Sequence, residues 1–268
     1  NLPPFLSVVT NSTARVWDWA SSEAPVLNDD THKGTRTNYT ARVAVCTANY
    51  HDNDCQSYAG NYKPVGLLHQ YVDGSMLFGL LTGSYDQNMS GGVLRKVVSD
   101  FSNEVDSATG IFSSSNTIVA NLNNLRIRDY QNGKTNSNYR NGSFRTGIMS
   151  EGAYVDWGNP IGEMMYETLR YLAGKGTATT AFSSKKAHDD AVGLSRATWD
   201  NPYASGSAAS AKSCAKPNML VMSNVNTSYD SDQLPGSHFG SFTGDLSGLD
   251  VSTEADAITT GEGNIAGK

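Results

Sequence analysis

A chain of 268 residues has room for one large domain or two small ones with a genuine core, and its net charge of −6 argues against nucleic acid or an anionic membrane surface as the main partner. No basic run interrupts that balance, and no apolar stretch approaches the ~20 residues that a bilayer-spanning helix needs. Abundant Asn, Ser, Thr and Gly with scarce Lys suit a loop-rich extracellular protein better than a cytosolic enzyme. The chain opens on Asn1-Leu-Pro-Pro without Met or a signal-type apolar segment and closes on Gly-Asn-Ile-Ala-Gly-Lys, which reads as a mature product or a piece of a longer protein.

Residues 1–40 read as an N-terminal strand and loop segment. Phe5-Leu-Ser-Val-Val-Thr alternates as a strand does, and Trp17 and Trp19 alternate too, which turns one ring inward and leaves the other as a candidate interface residue. Ala41-Arg-Val-Ala-Val-Cys46 is a strand candidate. Cys46 and Cys55 flank a polar loop of a length that a disulfide can close, with a metal pair as the alternative. Their spacing is too wide for a zinc knuckle, so the disulfide is favoured, and Cys214 is left free or paired outside the chain. Pro64 to Val72 predicts a helix, with Val65, Leu68 and Val72 at helical spacing and Asp73-Gly74 as its stop. Met76 to Leu81 and Gly91 to Val98 predict strands, which begins a βαβ-type order. Between about 100 and 155, Asn, Ser, Thr and Gly dominate, and Asn132-Gly133 marks a hairpin turn inside an irregular β/loop insertion.

The strongest helix starts at Pro160, with Asn159 as N-cap and Glu163 in the first turn, where the dipole favours its charge. Ile161, Met164, Met165, Thr168, Leu169 and Leu172 form its predicted core face, and Gly174 stops it. Tyr166 and Tyr171 fall on the opposite flank and are candidate interface residues. After a polar connection over 175–213, Met219 to Met222 predicts a buried strand. Asp230 and Asp232, with Asn226 and Ser228 upstream, form an oxygen-rich loop beyond it. They are the calcium candidates, although the loop lacks the turn Gly and distal Glu of an EF-hand, which favours a solvated turn. Residues 237–268 read as a Gly/Ser/Thr-rich tail or linker. Neither Gly-x-Ser-x-Gly nor His-Glu-x-x-His occurs, the five histidines share no motif, and no catalytic residue is assigned. Asp156 and Glu163, a conceivable carboxylate pair, are better explained by helix capping and the dipole.

Tyr62-Lys-Pro-Val-Gly-Leu-Leu-His-Gln-Tyr71, Gly91-Gly-Val-Leu-Arg95, the helix from Trp157 to Leu172 and Ser228-Tyr-Asp-Ser-Asp-Gln-Leu-Pro-Gly236 occur in that order. Together with Arg15-Val-Trp-Asp-Trp-Ala20, they resemble the type IV pilus tip proteins called PilY1 or PilC. The resemblance implies the N-terminal part of such a protein, without the family's C-terminal β-propeller. It also implies an α/β fold of the von Willebrand factor A-like (Rossmann-type) kind, a three-layer sheet over residues 41–236 interrupted by the loop-rich β insertion. Such domains hold a divalent ion at the sheet rim. The three corresponding places here fall near Cys46-Thr-Ala-Asn-Tyr50, at Asn159 and at Asn224, none of them a carboxylate, so the resemblance implies a degenerate domain with no metal at that rim.

The implied role is non-enzymatic: pilus assembly, twitching and adhesion, extracellular or at the surface of a Gram-negative-type bacterium. The implied partners are pilin or minor pilins and a host or surface receptor. Two rivals stand beside it: a self-associating filament subunit, and a surface carbohydrate-binding module or hydrolase.

Overall fold

A computed structural model describes residues 45–125, 151–152, 158–183, 186–207, 209, 216–223 and 230–263, with the backbone of strands β1 (Phe5–Thr10) and β2 (Arg15–Ala20). The side chains of Trp17 and Trp19, the expected strand at 41–44, the turn at Asn132-Gly133, and Cys214, Asn224, Asn226 and Ser228 lie outside the described residues. The chain divides into two compact units. One holds Asn1–Phe78, Ser99–Met149 and Ala187–Ser195; the other holds Gly79–Val98, Ser150–Lys186 and Arg196–Lys268.

In the first unit β1 and β2 pair antiparallel, with Val8 opposite Trp17. Strands β3 (Cys55–Tyr58) and β4 (Asn61–Pro64) form a tight hairpin whose turn residues Ala59 and Gly60 both have positive φ, 48° and 87°. A Cys46–Cys55 disulfide ties the start of that hairpin to the preceding loop, with the α-carbons 5.9 Å apart. Because β4 takes up the chain to Pro64, the expected helix shrinks to a 3-10 turn, Leu67–Tyr71, with no buried residue. Helix α1 (Ile118–Asn124) lies in the span expected to be β and loop. Thr117 caps it, and the buried Glu104 carboxylate accepts the N–H groups of Ile118 and Val119 at 2.8 and 3.0 Å. Two of the helix's open donors are thereby satisfied. Asn121 then clips α1 to Ser195, accepting its N–H at 2.9 Å and donating to its hydroxyl at 2.6 Å.

Strands β5 (Leu77–Thr82) and β6 (Val93–Asp100) make a third two-stranded sheet, and the unit boundary cuts through both. Gly79 lies against Lys96 and Val98, and Gly92 against Thr82, so the two strands run in opposite directions. In the second unit, helix α2 (Ile161–Leu172) and helix α4 (Val251–Gly261) accompany a core of Tyr166, Phe182 and Leu234. Phe242, Leu246, Leu249 and Val251 pack against that core, and Phe242 stacks on Phe182 with ring centres 5.5 Å apart. The described part of the stretch expected as a tail is therefore ordered. Its apolar residues are too thinly spread among Gly, Ser and Asp to show a period. The remaining helix, α3 (Lys186–Asp190), is a short turn in the 175–213 connection.

One expected element is corrected. Met219 to Met222 is irregular and uncovered, with Leu220 87% and Met222 86% exposed. Among the described residues no strand pairs with it, and an apolar run without a ladder partner has no reason to be buried.

Closing the loop between Cys46 and Cys55, nine positions apart, removes unfolded-chain freedom worth about 2–3 kcal/mol. Cys46→Ser is therefore expected to lower stability by about that amount in urea melts. Equal wild-type midpoints with and without reductant would contradict it.

Candidate functional site

The site is built on the first turn of α2. Pro160, rather than Asn159, occupies the cap position, and the Asn159 carbonyl accepts the Ile161 N–H at 2.9 Å. The Asn159 side-chain oxygen accepts the Ser223 hydroxyl at 2.9 Å. Two of the three places where an A-type domain would hold its ion are Asn159 and the neighbour of Ser223, and both are neutral. A divalent ion there would find amide and hydroxyl oxygens with no carboxylate to offset its dehydration. The residues do not fit that ion. The third place, around residues 46–50, belongs to the first unit.

Charge gathers one step further along the helix. A Cβ on Gly162 would sit 1.9 Å from the Asp230 carbonyl oxygen, so the loop from Asp230 to Leu234 lies directly on this turn. Glu163 is 0% exposed, and its Oε1 accepts the Gln233 N–H at 3.2 Å. Its Oε2 has no hydrogen-bond partner among the described residues, and the same is true of Asp232 Oδ1, also buried. Burial pushes the Glu163 carboxyl up to about 8, and the like charges of Asp232 and Asp230 add to the rise. The calcium candidates Asp230 and Asp232 are half-buried and lie close enough to Glu163 for their charges to act on it. Among the described residues, no three His, Cys, Asp or Glu side chains converge as a ready metal set.

Along its length α2 buries Glu163, Tyr166, Glu167, Arg170 and Tyr171. This corrects the candidate interface at Tyr166 and Tyr171: both rings are inside, because each hydroxyl finds partners there. Tyr166 donates to Asp245 Oδ1 at 3.2 Å and accepts the Asp245 N–H at 3.0 Å. Tyr171 donates to Asp200 at 2.8 Å and accepts the Val98 N–H at 3.0 Å. Between them Arg170 grips Asp245 with both arms, Nε at 2.7 Å and the outer nitrogen at 3.0 Å. It also donates to Glu167 at 3.0 Å and to the Thr177 carbonyl at 2.9 Å. Glu167, wholly enclosed, further accepts the Thr179 N–H at 3.0 Å and the Thr179 hydroxyl. Met165 and Leu169, expected in the core, are each 40% exposed.

Glu167, Arg170 and Asp245 were not singled out by sequence reasoning. The Glu-x-x-Arg spacing on α2 is a local signal, but Asp245 lies 75 positions away and leaves none.

A family profile described as "PilY1 homolog, second domain" matches residues 78–268. The type IV pilus biogenesis factor PilY1 homolog of Xylella fastidiosa (strain Temecula1) is 39% identical over 298 aligned positions, covering 97% of this chain and 20% of that protein. The chain thus spans about a fifth of the length of this relative. No solved structure matches.

Gly162→Ala adds a methyl group where the Asp230 carbonyl already sits, so overpacking of about 1–3 kcal/mol outweighs the ~1 kcal/mol gain in helix propensity. A net loss of stability in urea melts is the expected outcome, and a more stable variant would refute the contact. The Arg170 guanidinium holds the Asp245 carboxyl well below the usual carboxylate range. A depressed carboxyl contributes stability that is present above its unfolded value of about 3.9 and lost as pH falls below it. Thermal melts from about pH 6 to pH 2.5 should therefore fall more steeply for the wild type than for Asp245→Asn; parallel profiles would exclude this contribution.

Proposed function

The chain belongs to the PilY1-homologue family, and on that premise we propose that it is a non-enzymatic, surface-exposed part of the type IV pilus machinery. It acts in pilus assembly and adhesion through protein contacts, with pilin or minor pilins as partners and an outer surface or receptor beyond them. The observation that carries this reading is the 39% identity running over 97% of the chain, to a protein named as a pilus biogenesis factor. Its scaffold, in the same reading, is a degenerate A-type α/β domain.

Two features support contact over chemistry. The acidic group on α2 is enclosed, which suits a structural or ion-holding role more than a substrate cleft. Apolar side chains, meanwhile, stand uncovered on α2 at Met165 and Leu169 and in the segment from Met219 to Met222. Uncovered apolar surface of this kind marks protein contact sites.

The test pairs binding with genetics. The purified chain is expected to bind pilin or a minor pilin saturably, and Leu220→Asp with Met222→Asp should weaken that binding at least ~10-fold, the scale of a lost apolar anchor. Deleting these residues from the gene of a piliated bacterium should remove surface pili and twitching. Normal piliation after the deletion, together with saturable sugar binding or glycoside turnover by the chain, would overturn the proposal in favour of a carbohydrate-directed protein. Filaments formed by the chain alone would overturn it in favour of a structural subunit.

A further inference from the structure

We propose that the first turn of α2 and the loop from Asp230 to Leu234 together take one divalent cation of the Ca²⁺ class, with the carboxylates of Glu163 and Asp232 as its anionic ligands. The inference stands apart from the pilus role and rests on unmet bonding capacity. Glu163 is wholly enclosed, and its Oε2 has no partner among the described residues; Asp232 Oδ1 is buried with none either. A buried carboxylate oxygen left without a donor is costly, and two on neighbouring side chains are more costly still because their charges repel. The charges acting on Glu163 are those of Asp232 and Asp230, both of its own sign. The ion pairs of this helix are used elsewhere: Arg170 serves Glu167 and Asp245, and Lys175 serves Asp245.

The geometry prepares one oxygen of each group. The Gln233 N–H fixes Glu163 Oε1 at 3.2 Å, which orients Oε2 away from that bond. Gly162 lets the Asp230 backbone come close enough to bring Asp232 to the same turn, where any Cβ would collide with the Asp230 carbonyl. All the groups concerned are hard oxygens, with no sulfur or imidazole among them, which selects a Ca²⁺-like ion over Zn²⁺. The positive end of α2 opposes the cation, and only two carboxylates offset it, so the affinity falls in the range of extracellular calcium modules, about 10⁻⁴–10⁻³ M. The cation would thus sit not at the neutral rim of Asn159 but about one helical turn inward from it.

The experiment uses the whole chain, stripped with chelator and dialysed, titrated with CaCl₂ by calorimetry and followed by thermal melts. One Ca²⁺ per chain and a rise in melting temperature are expected. Asp232→Asn and Glu163→Gln should each weaken binding at least ~10-fold, while Asp256→Asn, exposed on α4, should leave it unchanged. Where Glu163→Gln fails to fold, Asp232→Asn decides alone. No heat and no melting shift up to about 10 mM Ca²⁺ in folded protein would overturn the site, since a carboxyl pair that takes only a proton gives that result. Binding that survives both substitutions would overturn it equally.

Discussion

The inward face of α2 is held by one cation. Glu163, Glu167 and Arg170 point into the second unit beside two tyrosines, and without Arg170 the enclosed Glu167 would be left to the Thr179 N–H and hydroxyl alone. Stripping a partner from such a buried pair costs about 3–5 kcal/mol, as much as truncating a large buried apolar side chain. The fork of Arg170 has more arms than Glu167 can use, and the surplus reaches Asp245 in a two-armed grip. That grip accounts for much else. It brings the Gly/Ser-rich chain back to the helix, where Lys175 adds its own bond to the Asp245 carbonyl and Phe242, Leu246 and Leu249 complete the core.

The same arrangement explains how α2 is legible in part. Its boundaries and its stop come from local chemistry, a proline at the entrance and Gly174 at φ 79°, and both stand in the sequence as they do in the fold. Its orientation does not. Ile161, Met164, Met165, Thr168, Leu169 and Leu172 follow a helical period, but Glu163, Tyr166, Glu167, Arg170 and Tyr171 follow one equally well. Periodicity chooses between two stripes only by assuming that the apolar one faces inward. That assumption fails when a charged stripe is satisfied by partners far along the chain, and Asp245 and Asp200 leave no local trace of that role. The disulfide was readable because both cysteines flank one short loop. The segment from Met219 to Met222 was misread for the complementary reason: an apolar run states a preference for burial without stating that a partner exists. Helix α1 was hidden because its start depends on Glu104, fourteen positions upstream of Ile118, as well as on Thr117.

Membership of the PilY1-homologue family bears on the entrance of α2 in a specific way. Amides at the expected ion-binding places do not by themselves make a domain inert toward cations. Here negative charge lies at Glu163 and on the half-buried loop from Asp230 to Leu234, with one buried oxygen each on Glu163 and Asp232 lacking a partner among the described residues, while the neutral Asn159 amide accepts a hydrogen bond from Ser223.

That hydrogen bond gives the two halves of the functional reading a common anchor. Ser223 closes the uncovered apolar segment onto Asn159, and Gln233 closes the acidic loop onto Glu163, four positions along the same chain. Whatever binds the Glu163 and Asp232 carboxyls therefore acts on the turn that the apolar segment meets. An ion there would draw Asp232 toward Glu163; without it burial keeps a proton on the Glu163 carboxyl at neutral pH. Leu234 also belongs to the core with Tyr166 and Phe182, so the loop is held on this turn in either state. The apolar segment meets the same turn through the exposed Ser223 hydroxyl, which donates to Asn159.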